Sequence, residues 1–333
     1  MQVRRRWPLP ATLMALLTTL ALLGACDDDG AATDGGIASG ADDGGGSDAG
    51  DSGTMDTGAG DTGTTADSAV MDGGPMDTGT DAAMVGSAGC IDGGGLAEGE
   101  HTFMSEGLSR RFIVRLPIGY TRDRLWPLVL ALHGNGGSAS YWDGTSGSRD
   151  IRGVLENDAV LIVAEAIDGA WRDYDMPSDT WPARIESELL YFDDVISEAK
   201  TELCVNEGAI FSMGFSGGGS FSGVLGCRRP DIRAIAVGGS VIYFDTGACV
   251  NTPAAWVTIG EGELSSDREA YRDFWRDRAS CAATTMSTAP DPCVAYDACG
   301  AGTPVHYCQH PAGHIWPDFA SEAMWGFFGA LVE

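Results

Sequence analysis

Hydrophobic positions in the C-terminal three quarters of the chain follow two alternating patterns. Arg111 to Leu116 (RFIVRL) alternates as a strand does. Pro127 to Leu132 (PLVLAL) and Ala159 to Ala164 (AVLIVA) are continuous apolar runs, which predict strands buried on both faces. Glu186 to Glu202 carries Leu189, Leu190, Phe192, Val195 and Ile196 at helical spacing. Further on, strands are predicted at Ala209 to Met213, Ile232 to Val237, Ala254 to Ile259 and Val305 to Gln309. Helices are predicted up to Cys227, over Ser266 to Ala279, and near Phe319 to Leu331. Buried strands alternating with helices predict an α/β fold: a mostly parallel central sheet with helices on both faces.

The segments before this region have a different character. Arg4, Arg5 and Arg6 precede a short apolar stretch, Ala11 to Leu23, which reads as an export signal and is too short for a good membrane span. It ends in Leu23-Gly24-Ala25-Cys26, a pattern similar to a bacterial lipobox. Residues 1–26 are therefore expected to be a lipoprotein signal in which Cys26 is lipidated and anchors the exported protein to a membrane of the cell envelope. Residues 27–89 hold 14 Asp and no Glu, Lys or Arg among mainly Gly, Ala, Thr and Ser, which predicts a disordered acidic linker. Its Asp-Gly runs have no regular ligand spacing, so a solvated tether is expected rather than calcium loops. Residues 90–333 then form the folded domain.

Charge and cysteine usage narrow the function classes. The chain's formal charge is −28, which argues against a nucleic-acid partner held through phosphates. Eight cysteines follow Cys26, an even number that in an exported chain predicts disulfides. Their pairing is not fixed by the sequence, and a bridge near the last strand, for example Cys281 with Cys308, is expected. No C-x-x-C pair is present, and neither a metal nor an organic cofactor is implied.

The chemistry converges on Gly214-Phe215-Ser216-Gly217-Gly218. Roughly half a G-x-S-x-G match is expected by chance in a chain this rich in Gly and Ser. Its context raises it above chance, because a strand leads in and a helix leads out, as at a nucleophile elbow. A serine attacks only if it projects from a sharp turn into an open cleft, beside the free N–H groups of a helix start. In folds with this elbow, the order is Ser, then Asp or Glu, then His after the last strand. That order selects His314 or His310 in QHPAGHIWP, with His314 favoured by the turn that Gly313 allows. The acid follows the strand Ala254 to Ile259, and the candidates are Glu263, Glu261 and Asp267; Glu263 lies at the usual reach. Gly217 N–H and Asn135 N–H, in His133-Gly134-Asn135-Gly136-Gly137, are the expected oxyanion donors. Trp142, Trp171, Trp181 and Trp316 lie in or near loops on the same side. They could stack on an aromatic acyl group or a sugar, although core packing is the more frequent role of such residues.

RRFIVRLPIGY, PLVLALHGNGG, CVNEGAIFSMGFSGGG and GHIWP together resemble the secreted α/β-hydrolase esterases that group polyhydroxybutyrate depolymerases with feruloyl and acetylxylan esterases. The resemblance runs over most of residues 110–318. It implies an α/β-hydrolase fold and a serine ester hydrolase with Ser216 as nucleophile, His314 as base and the residue after His133-Gly134 as an oxyanion donor. The substrate would be a feruloyl or acetyl ester of a polysaccharide, or a hydroxyalkanoate ester. The family usually has aspartate after a G-T-x-D-like turn, where this chain reads Gly260-Glu261-Gly262-Glu263. That departure leaves open a non-catalytic, envelope-anchored binding protein that keeps the fold.

Overall fold

The structure is a computed structural model and describes residues 85–173 and 176–332. In chain order its elements are β1 (Gly99–Ser105), β2 (Leu108–Arg115), β3 (Trp126–Leu132), α1 (Ile151–Leu155), β4 (Val160–Ala164), α2 (Trp181–Glu202), β5 (Val205–Phe215), α3 (Gly217–Arg228), β6 (Ile232–Gly238), β7 (Ala254–Gly260), α4 (Ser266–Arg278), β8 (Thr285–Ser287), β9 (Cys293–Tyr296), β10 (Val305–His310) and α5 (Ala320–Gly329). The strands form one sheet in the order β1-β2-β4-β3-β5-β6-β7-β10-β9-β8. The run from β4 to β10 is parallel, and the pairs at both edges are antiparallel.

The continuous apolar runs are explained by burial on both faces. Leu128, Leu130 and Leu132 of β3 join one core with residues of α2, α3 and α4, including Phe192, Phe221 and Trp275. Val129 and Ala131, pointing the other way, join a second core with Ile151 and Leu155 of α1 and Met324, Phe327 and Phe328 of α5. Each fully buried Leu or Phe contributes roughly 1.5–3 kcal/mol, so β3 with its two sheet neighbours anchors the fold. Helix α2 begins at Trp181, five residues before the expected Glu186. Pro182 suits its first turn, where its missing N–H has no helical partner to lose. Four elements lie outside the expected set: β1, α1, β8 and β9.

Two expectations are corrected. The expected linker end at Gly89 falls inside the packed fold: Gly86 bridges to Asn206, and Ser87 Oγ donates to Leu203 O at 2.7 Å. The export signal, Cys26 and the linker up to residue 84 lie outside the described residues. The disulfides pair Cys90 with Cys204, Cys227 with Cys249, Cys281 with Cys299, and Cys293 with Cys308. Cys308 therefore bonds Cys293 rather than Cys281, because the β9–β10 register sets these two residues directly opposite each other.

One buried ion pair ties the sheet to α2. Arg110 of β2 donates to Glu188 of α2 at 2.5 Å, with side chains 2% and 0% exposed, and stacks 3.8 Å above the Tyr191 ring. Glu188 also accepts from Arg184 Nε at 3.1 Å. Glu188→Ala strands the Arg110 guanidinium inside the protein. It is expected to cost about 3–5 kcal/mol, read as a lowered denaturant midpoint at unchanged slope. A cost under about 1 kcal/mol would refute this reading of the pair.

Candidate active site

Strand β5 delivers Ser216 to the C-terminal edge of the sheet, and α3 starts at the next residue. Ser216 has φ 57° and ψ −122°, a strained conformation for a residue with a Cβ. The surroundings enforce it. Ser216 N–H donates to Gly238 O at 2.7 Å, and Ser220 N–H donates back to Ser216 O at 2.9 Å. A Cβ at Gly214 would lie 2.5 Å from the Gly218 carbonyl carbon. A Cβ at Gly218 would overlap the carbonyl oxygens of Leu132 and His133, so the glycines let helix, strand and neighbouring loop close on one another.

His314 stands over this turn. Its Nε2 lies 2.9 Å from Ser216 Oγ, its ring packs on Phe215 at 4.5 Å between centroids, and its Nδ1 makes a short hydrogen bond to Glu263 Oε2. Glu263 closes a single 3-10 turn, Glu261–Glu263, directly after β7. That turn is pressed on the histidine loop: Gly262 N–H donates to Ala312 O at 3.1 Å, and a Cβ at Gly260 would overlap the carbonyls of Ala312 and Gly313. Glu263 Oε1 accepts Gly260 N–H at 3.1 Å. Burial pushes the Glu263 carboxyl up. The hydrogen bonds from His314 and Gly260 and the nearby charges of His314 and Arg268 outweigh burial and hold it below the usual carboxylate range.

The rival candidates lie elsewhere. His310 is buried at the end of β10, where burial lowers its pKa against the opposing charges of Glu263 and Glu261. Glu261 and Asp267 are exposed. The structure thus brings Ser216, His314 and Glu263 into one hydrogen-bonded line.

Asn135 and Gly217 sit side by side, close enough that a Cβ on Gly217 would overlap the Asn135 amide. Gly217 opens α3, so its N–H has no partner within the helix. The loop carrying Asn135 is braced from below by His133, which is fully buried. His133 Nε2 accepts Ala166 N–H at 3.1 Å, so Nδ1 carries the proton and donates to Gly134 O at 2.7 Å. Burial lowers the His133 pKa, in keeping with this neutral form. Trp171 Nε1 donates to His133 O at 2.7 Å, and Trp142 Nε1 donates to Leu132 O at 2.8 Å. These two tryptophans and Trp316 are buried, so they shape the loops from the core and offer no stacking surface. Trp181 is half-buried beneath the Arg172 guanidinium at 3.8 Å.

Two residues of the site went unread in the sequence. Gly239, at φ 59°, lies against the His314 ring, where a Cβ would stand 2.6 Å from Cε1. Arg268, in the first turn of α4, forms an ion pair with Glu263 Oε2 at 2.9 Å. A Gly-Gly pair at the end of the strand Ile232 to Val237 was a usable signal for the first. Nothing in an amphipathic helix singles out the second from other cations on its surface.

A serine on a strand-to-helix elbow, a histidine behind the last parallel strand and a glutamate after the strand before it stand as they do in the α/β-hydrolase fold. Such a line can draw the proton from the serine while Gly217 N–H faces a developing oxyanion. No protein-family model matches the chain. Among known proteins it is similar to feruloyl esterase B of Piromyces equi (32% identical over 128 residues, 38% of this chain and 23% of that protein). It is similar to feruloyl esterase D of Neurospora crassa (29% over 169 residues, 47% and 54%). It is also similar to a probable feruloyl esterase C of Aspergillus terreus (25% over 272 residues, 74% and 92%). The chain therefore spans less than two thirds of the length of the first two. Among solved structures, a ferulic acid esterase superposes with a TM-score of 0.49 at 15% identity, covering 70% of this chain and 97% of that one. One from Anaeromyces mucronatus in complex with ferulic acid gives 0.48 at 14%, covering 73% and 93%.

Proposed function

We propose that the protein is an exported serine carboxylic ester hydrolase. The observation that carries the reading is His314, which spans Ser216 Oγ and Glu263 with one imidazole. In the first half-reaction, Ser216 Oγ attacks the ester carbonyl and its proton passes to His314 Nε2. Glu263 accepts from Nδ1–H, fixes the tautomer and stabilises the imidazolium. Gly217 N–H and Asn135 N–H take the oxyanion. Collapse breaks the bond to the alcohol, which leaves with the proton from His314, and Ser216 retains the acyl group. Water then attacks the acyl carbonyl as His314 takes its proton, releasing the acid and restoring the serine.

The relatives' names designate feruloyl esterases, which supports an aromatic acyl ester as the substrate. Its attachment to a polysaccharide, and the alternatives of acetyl or hydroxyalkanoate esters, rest on the sequence resemblance. Four disulfides fit an oxidising compartment outside the cytoplasm. The Arg-rich start, the short apolar stretch and Leu23-Gly24-Ala25-Cys26 support lipid attachment at Cys26, with the acidic segment as a tether. The test is covalent. A fluorophosphonate added to the oxidised protein is expected to mark Ser216, as located by peptide mass mapping. A folded protein that takes no label would overturn the hydrolase reading in favour of a binding protein.

A further inference from the structure

We infer that Arg268 is a positioning residue of the triad, clamping the Glu263 carboxylate against His314; this rests on the ester-hydrolase reading above. Glutamate has one more rotatable side-chain bond than aspartate, so a glutamate serving His314 needs more anchoring to hold one oxygen on Nδ1. Gly260 N–H secures Oε1 at 3.1 Å. Arg268 Nε stands 2.9 Å from Oε2, the same oxygen that accepts from His314; the contact is an ion pair, its N–H not aligned as a hydrogen bond. Its Nη2 lies 3.5 Å from His314 Nδ1. The pair is shielded, with Glu263 5% and Arg268 23% exposed, so it is screened less than a surface pair.

The second consequence is electrostatic. A fixed guanidinium beside the imidazole repels a proton on the free enzyme's base, although Glu263 attracts it. The other charged or titratable groups around this corner are Glu261 on the same turn, His310 on β10, and Asp267 and Glu269 flanking Arg268 on α4. Glu261 and Asp267 are exposed, and Glu269 reaches toward Arg272 at 3.8 Å. Arg268 is thus the cation placed to act on both partners of the Glu263–His314 bond.

The test compares the full-length oxidised protein with R268M, R268Q and R268K on one chromogenic aryl ester across acid to neutral pH. Both neutral variants are expected to show kcat about tenfold lower with KM changed less than about twofold, because the loss is one of alignment. The acid limb of their kcat/KM profile is expected to move to higher pH by about half a unit or more. R268K, which keeps the charge, is expected to retain the wild-type limb and recover most of kcat. Neutral variants with an unmoved limb and kcat near wild type would overturn the inference. So would a lysine variant whose limb shifts as theirs does. R268Q keeps a donor and much of the packing, so the comparison survives if R268M fails to fold. A wild-type protein without turnover would instead sink the ester-hydrolase reading itself.

Discussion

Ser216→Ala is expected to lower kcat by about a millionfold on any ester the protein hydrolyses, with the fold intact. The size follows from what the hydroxyl does. In the proposed mechanism, without Oγ there is no acyl-enzyme, and His314 loses the group whose proton it takes, so both halves of the reaction stop. What remains is binding and the proposed oxyanion donors at Gly217 and Asn135, which alone sustain only a small rate above water. Stability is expected to behave differently. His314 is 40% exposed, so its Nε2 turns to solvent when the hydroxyl is removed. Alanine also keeps the Cβ that makes φ 57° costly, so the strain at the elbow stays as it was. The unfolding midpoint of Ser216→Ala should therefore match wild type. Ser216→Gly, which releases about 1–3 kcal/mol of strain against the entropy of a glycine, should unfold at a higher temperature than Ser216→Ala. An alanine variant retaining a tenth of wild-type turnover would remove Ser216 from the chemistry.

The elbow was legible because its physics is local. Strand, turn and helix follow from apolar runs meeting glycines, and the contacts at Gly214 and Gly218 are backbone contacts that only glycine permits. The central strands were legible for a similar reason: PLVLAL and AVLIVA have no polar face to give to water, and β3 and β4 are buried along their whole length. Strand β8 was not, since all three of its residues are exposed and leave no pattern. Disulfide pairing depends on strand register, which no count of cysteines contains; Cys308 meets Cys293 because β9 doubles back on β10. The tryptophans were ambiguous in sequence because an indole can serve a ligand or a carbonyl. In the fold, Trp142 and Trp171 spend their N–H groups on Leu132 and His133. The acid had three candidates within seven residues: Asp267 falls in the first turn of α4, and only the 3-10 turn separates Glu261 from Glu263. Residues two apart on that turn project about 240° apart, so Glu261 and Glu263 cannot both face His314.

Glu263→Gln is expected to lower kcat about ten-thousandfold, whereas Glu261→Gln and Asp267→Asn should stay within about twofold of wild type. Glu263 Oε1 accepts Gly260 N–H, and Oε2 accepts from His314 Nδ1 and faces Arg268. Both hydrogen-bonding neighbours, Gly260 N–H and His314 Nδ1–H, donate, so an amide NH₂ in either position meets a donor. If the amide nitrogen faces His314, it favours the tautomer with the proton on Nε2, where the ring cannot receive the serine proton. If the amide turns over, it confronts the Gly260 N–H and leaves a neutral oxygen where the imidazolium needs a charge. The same arrangement sets a pH signature for stability. The Glu263 carboxyl is held below its usual range in the folded protein. Its stabilising contribution is therefore present above the unfolded-state value of about 4.3 and is lost as pH falls through the folded-state value. Glutamine does not titrate, so the gap in unfolding midpoint between wild type and Glu263→Gln should be widest near neutrality and narrow toward acid. A gap that widens toward acid, or an Asp267→Asn variant as impaired as Glu263→Gln, would mean that Glu263 is not the residue that orients His314.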